Sequence, residues 1–315
     1  MKQTLKKRLA LTLLLIAYTV YLPANAAENG NGTYLMGSKG STAGVIGPPG
    51  WYFQNDTYMY RAKSQSSALL PIDGEIVANV RATAMVNLPT IIWISDKSIA
   101  QQKFGLLATF PIGYKNTRAQ VDLNWQEGPL ELLALRDKKL SIGDPVLGAF
   151  IGNQINNWHW QWSSSVNIPI GQYKVGNLSN MGYKHWSWDN SLALSWFSTT
   201  QQWEITQIVG HTLNNKNQKT HYKSGQEIHW DGVISRYLSN RWQVGINAYH
   251  YQQISADSGA GAVLGAYKGR SSAAGFHVGY TTPQGTTFRL KSMHEFNVKN
   301  RVKGNALLLT LAMPL

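Results

Sequence analysis

The chain has 315 residues, with 29 Lys and Arg against 16 Asp and Glu, 12 Trp, 15 Tyr, 29 Gly and no Cys. The length suffices to bury a core without covalent staples, and the missing Cys excludes thiolate zinc sites, cysteine nucleophiles and disulfide frameworks. Beyond the N-terminus no apolar run approaches the roughly 20 residues of a membrane helix, which excludes a polytopic helical protein, and aromatic residues spread along the whole chain exclude disorder.

Residues 1–26 read as a cleavable export signal. Lys2, Lys6, Lys7 and Arg8 precede the apolar stretch Leu9 to Leu22, and Ala24-Asn25-Ala26 offers small residues at the cleavage positions. Its removal leaves 25 basic against 16 acidic residues, a net charge of +9 in place of +13. Residues 27–50 follow with seven Gly, from Gly30 to Gly50, and the pair Pro48-Pro49. That composition suits an irregular segment, either a plug inside a lumen or a periplasmic tail.

From there the chain has period two. Between Trp158 and Ile170 one parity reads Trp158, Trp160, Trp162, Ser164, Val166, Ile168, Ile170, and the other His159, Gln161, Ser163, Ser165, Asn167, Pro169. Alternate side chains of a strand point to opposite faces, so this is a strand with one apolar and one wet side. The pattern predicts strands near 51–61, 75–86, 90–95, 104–112, 117–126, 146–154, 158–170, 187–198, 203–213, 226–238, 242–254, 266–281, 286–297 and 305–314. Only 130–140 has a spacing that suits a helix. Short connections at Ser239-Asn240-Arg241 and at 281–285 alternate with longer polar ones at 171–185, 214–225, 255–265 and 298–304.

The predicted fold is a transmembrane antiparallel up-and-down β-barrel of 12 to 14 strands, with short periplasmic turns and longer extracellular loops, in the outer membrane of a Gram-negative bacterium. A soluble sandwich or propeller also alternates. Against it stand strands of about 10 residues and more, where soluble sheets average 5 or 6, aromatic residues at strand ends such as Trp158, Trp186, Trp188, Trp203, Trp242 and Tyr280, and a strand that closes the chain.

Three segments carry a family resemblance: Pro48-Pro49-Gly50-Trp51-Tyr52, Gly143-Asp144-Pro145 ahead of a strand, and the closing run Gly304 to Leu315. From about residue 45 onward the chain resembles the MetA-pathway of phenol degradation family. The resemblance implies an outer-membrane barrel of a kind linked to transport of aromatic or other hydrophobic compounds, and it carries no catalytic motif. Barrels of this type commonly end on an aromatic residue recognised by the barrel-assembly machinery, whereas this chain ends on Leu315.

With the apolar parity toward lipid, the other parity supplies the lumen: Arg118, Gln120, Asp122 and Asn124, then His159, Asp189 and Glu204, then Glu227, His229 and Asp231, then Arg289, Lys291 and Glu295. Both signs occur, which fits side chains bracing a closed interior as well as a polar substrate path. Glu227, His229 and Asp231 alternate on one face and suit a hydrogen-bonded row or a metal. No Gly-x-Ser-x-Gly, His-Glu-x-x-His or compact Ser/His/acid spacing occurs, so no catalysis and no cofactor are expected. The function read from these features is a channel for small hydrophobic or aromatic compounds. A structural or adhesive barrel is the alternative, and an outer-membrane lipid hydrolase the third.

The remaining basicity concentrates in two predicted loops, with Lys216, Lys219, His221 and Lys223 in 214–225 and Lys299, Arg301 and Lys303 in 298–304. On the outer rim these would face lipid and lipopolysaccharide phosphates. No nucleic-acid motif accompanies the charge.

Overall fold

In a computed structural model, residues 34–64, 70–72, 75–122, 132–200, 202–238, 241–265 and 268–315 are described. The export signal and the turn residues Ser239 and Asn240 lie outside them. The regular elements among the described residues are all strands: β1 Gly50–Lys63, β2 Leu70–Ile72, β3 Glu75–Ile99, β4 Gln102–Thr109, β5 Ile112–Asp122, β6 Leu132–Ile142, β7 Val146–Ile155, β8 Trp158–Asn167, β9 Ser187–Phe197, β10 Trp203–Asn214, β11 Glu227–Tyr237, β12 Trp242–Gln253, β13 Arg270–Thr281, β14 Thr287–Lys299 and β15 Lys303–Pro314.

Twelve of these strands close an antiparallel ring. β1 completes it by pairing β15 on one edge and β3 on the other, so that Tyr58 lies opposite both Leu308 and Val86. The Leu315 N–H donates to the Trp51 carbonyl at 2.9 Å, placing the start and end of the barrel together. That end carries the short turns at 100–101, 156–157, 198–202 and 282–286, and the opposite end the long connections 168–186, 215–226 and 254–269. By the construction rule of outer-membrane barrels the first end is periplasmic.

Parity decides what each face meets. In β9 Ser191, Ala193 and Ser195 are buried, while Leu192 and Leu194 between them are exposed; in β10 Glu204, Thr206 and Ile208 are buried, and Val209 is 58% exposed. A strand whose small and polar residues are buried and whose Leu and Val are exposed is inverted relative to a soluble sheet, as a lipid-facing wall requires. At the periplasmic end Trp51, Trp158, Trp203, Trp242 and Phe288 are exposed, and Tyr280 packs on Trp242 with ring centroids 4.8 Å apart. Amphipathic rings of this kind sit at headgroup level.

The wall departs from the predicted elements in one region. The segments expected at 75–86 and 90–95 are a single 25-residue strand, β3, running through Pro89. The helix-like spacing at 130–140 belongs to β6, whose Leu135 packs against the cluster Leu70, Val77, Val80, Ala119 and Leu178. The connection expected at 298–304 has only residues 300–302 between β14 and β15.

The first two differences share a cause. β4 with β5, and β6 with β7, are two arms of one long hairpin, each bent midway. The β4–β7 half is part of the closed ring, while the β5–β6 half rises above it and, among the described residues, joins the ring only through the upper half of β3. Prolines mark the bend on adjacent strands: Pro89, Pro111, Pro145 and, past the end of β8, Pro169. In an antiparallel ladder the N–H and C=O of one residue point to the same neighbour. Pro89 accepts from the Phe110 N–H at 2.9 Å but has no N–H to return, and Pro111 accepts from Gly143 at 2.8 Å with the same deficit. Missing donors on neighbouring strands at one height weaken the ladder there, and the register slips by one residue between the two halves of the hairpin.

Candidate functional site: the lumen and its cavity

Residues 34–48 run through the lumen as irregular backbone, which membrane depth tolerates only inside protein. Buried wall residues hold them. Asp231 accepts from the Tyr34 hydroxyl at 2.6 Å and the Gly37 N–H at 2.8 Å. The Tyr34 ring stacks on His229 at 3.6 Å, and His229 Nε2 lies 2.8 Å from Asp189. Lys291 donates to the carbonyls of Gly37 and Lys39 at 2.6 and 2.9 Å. Glu204 takes the Ser41 hydroxyl and Thr42 N–H, both at 2.5 Å, with further donation from Thr206 and Tyr237. Gly37 has φ of +74°, a conformation only glycine adopts freely. At Gly44 a Cβ would stand 2.6 Å from the His159 carbonyl oxygen and 2.8 Å from the Ser195 nitrogen, so only glycine passes there.

Between this segment and the β1–β3–β4 wall lies a cavity of about 420 Å³. Its lower part is apolar, with Val86, Leu88 and Ile92 of β3 beside Leu107 of β4. The cluster of Ile46, Ile94 and Phe150 closes it toward the periplasm. Its upper part is polar, with Tyr60, Glu295, Lys115 and Arg301. Glu295 is fully engaged by Tyr60, Tyr249, Ser271 and the Gly304 N–H, and Arg301 stacks over Tyr251 at 4.2 Å.

The bend in the wall borders the same cavity, through Thr109, Pro111, Asp144, Val146 and Asn167. Connection 168–186 closes it. Buried Asp144 accepts from the Gly171 N–H at 2.7 Å, the Tyr183 N–H at 2.8 Å and the Asn167 amide at 3.3 Å. The Gln172 N–H reaches the Ile142 carbonyl on the far edge of β6, which among the described residues has no partner strand. Higher up, Ser179 bonds to Asp137 and Thr117 on the inner face of the β5–β6 extension. Within the connection, burial pushes the His185 imidazole below its ordinary range.

The predicted lumen residues divide. His159, Asp189, Glu204, Glu227, His229, Asp231, Arg289 and Lys291 stand on the inward parity of their strands. Glu204, Asp231 and Lys291 hold residues 34–48 directly, Asp189 acts through His229, and Asp189 also borders the cavity, as does Glu295. Glu227 accepts from Asn214 at 3.2 Å, and the His159 ring meets Phe197 edge-on. Arg118 is a correction: it is exposed, because Thr117 and Ala119 take the inner face of β5 and leave Arg118 outside. The side chain of Asp122 lies outside the described residues. Arg301 is a second correction, buried against the cavity and not on the rim. The apolar cavity wall was missed because period-two reading asks for one polar face. Its signal was present in Ala84 to Ile94, apolar on both parities apart from Asn87 and Thr90.

A family model described as "Putative MetA-pathway of phenol degradation" matches residues 68–311. The chain belongs to that family. As a member of the phenol-degradation family it is similar in fold to an outer membrane channel from Pseudomonas putida F1, at 13% identity and a TM-score of 0.65, over 87% of this chain and 98% of the other. Two further matches are the translocator domain of the autotransporter NalP from Neisseria meningitidis, at 9% identity, a TM-score of 0.48 and coverage of 85% and 90%, and a FadL homologue from Pseudomonas aeruginosa, at 7%, 0.40, 83% and 89%. No curated protein matches the chain.

Proposed function

We propose that this family member is an outer-membrane channel for small hydrophobic or aromatic compounds, with no chemistry of its own. One observation carries the reading: the lumen cavity is apolar along β3 and β4, and it borders the bent part of the wall, where prolines have removed ladder donors. An apolar compartment with a few convergent polar groups suits a small aromatic ligand. Residues 34–48 are anchored by Asp231, Glu204 and Lys291. In this reading the compound therefore passes beside them, descends along Val86, Leu88 and Leu107, and leaves sideways at the break when connection 168–186 lifts from Asp144. The family name and the channel from Pseudomonas putida support the assignment. In this reading residues 1–26 direct export, and β15 is the strand offered to the assembly machinery.

The test is uptake of a labelled aromatic into intact cells that express the protein and whose lipopolysaccharide leaflet otherwise slows entry. Faster uptake than in cells lacking it supports the channel. Uptake equal to the control assigns the protein a structural or adhesive role, and release of fatty acid from phospholipid by purified protein assigns a hydrolase.

A further inference from the structure

On the outer face of the barrel, five basic residues stand directly opposite one another across five adjacent strands. Lys303 of β15 pairs Lys63 of β1, which pairs Arg81 of β3, which pairs Arg118 of β5, which pairs Arg136 of β6. All five are exposed. Cross-strand neighbours have Cβ atoms about 5 Å apart, and like charges at that separation are destabilising. None of the five makes an ion pair among the described residues, and Arg136 has one long bond, 3.4 Å, to Asn116.

The height of the row is fixed by what lies below it. Two residues down, a step of about 7 Å, the row reads Asn305, Arg61, Thr83, Asn116 and Lys138. One step further it reads Leu307, Met59, Met85, Tyr114 and Leu140, with Leu140 67% exposed. The outer surface therefore changes from wholly basic to wholly apolar or aromatic within two steps, at the extracellular end of the wall. That is the boundary between lipid tails and headgroups, where clustered Lys and Arg meet anionic headgroups.

We propose that the row Lys303–Lys63–Arg81–Arg118–Arg136 is a docking site for the phosphates of lipopolysaccharide in the outer leaflet. Arginine forks donate to phosphate oxygens in pairs, and five cations at strand spacing bridge more than one phosphate. The bound lipid covers the outer face of β3, β5 and β6, and so stands beside the bend in the wall. The site differs from the loop lysines Lys216, Lys219 and Lys223, which are exposed on the rim above the wall.

The test is retention of bisphosphorylated lipid A by the purified barrel, read by native mass spectrometry from a zwitterionic detergent. The wild type is expected to retain it, and to lose retention about tenfold with dephosphorylated lipid A or in Arg81→Gln/Arg118→Gln. The double variant is expected to unfold in that detergent no earlier than the wild type, because repulsion has been removed. Should it fail to fold, Arg118→Gln alone, on the extension outside the closed ring, serves in its place with a smaller loss. Equal retention by the variants, equal retention of the dephosphorylated lipid, or no retention by the wild type overturns the proposal.

Discussion

Replacing Asp144 by Ala isolates the closure of the wall from the stability of the barrel. The carboxylate is the shared acceptor for two backbone donors, Gly171 at 2.7 Å and Tyr183 at 2.8 Å, and for the Asn167 amide at 3.3 Å. Each buried donor left without an acceptor costs roughly 1–3 kcal/mol. Solvent entering as the connection lifts recovers part of that, and a net loss of ~3 kcal/mol raises the undocked fraction of residues 168–186 on the order of 100-fold. The ladders of the closed ring are untouched, so the loss is local. The expected result is faster proteolysis within 168–186 and faster aromatic uptake, with the same heat-resistant barrel band on a gel. Asp144→Asn, which keeps one oxygen acceptor, should fall between. Unchanged proteolysis and unchanged uptake in Asp144→Ala would refute the closure argument, and global unfolding would show that Asp144 supports the whole wall.

Gly44→Val places a side chain against the backbone of His159 and Ser195, so residues 34–48 must shift, and single-channel conductance in planar bilayers should rise while the wild type stays low. Glu204→Ala removes the acceptor of Ser41 and Thr42 and should raise conductance in the same direction; unchanged conductance in both variants would mean that the segment does not narrow the lumen. Val209→Lys puts a charge on the lipid face in the middle of β10 and should lower folding stability by roughly 2–4 kcal/mol, measured by denaturant titration in bilayers. A much smaller loss would mean that this face does not meet lipid.

The regular part of the barrel was legible because lipid and lumen impose opposite demands on alternate residues. From β8 to β15 the parity of Trp158, Leu192, Val244 or Leu309 is enough to place a strand. Legibility failed where that alternation is suspended. Pro89 looked like a strand boundary, but the ladder tolerates it where the facing arm bends. Residues 130–140 looked helical because β6 packs Leu135 inward while exposing Leu140. Arg118 was placed in the lumen by the expectation that charge avoids lipid, yet it stands at a height where the outer face meets headgroups. Of the site, the anchoring acids could be read as inward polar residues, but not what they anchor: Asp231 and Tyr34 are 197 positions apart. The apolar cavity wall was written in Ala84 to Ile94, where both parities are largely apolar, a pattern that reports a wall greasy on both sides.

In the proposed route aromatic compounds travel through the cavity beside residues 34–48. Its most direct test is uptake of a labelled aromatic by cells expressing either the wild type or Val86→Trp, whose indole projects from β3 into the cavity. The wild type should accelerate uptake, and Val86→Trp, correctly inserted at equal level, should return it to the rate of cells lacking the protein, as passage through the cavity requires. Uptake by Val86→Trp equal to that of the wild type would contradict it.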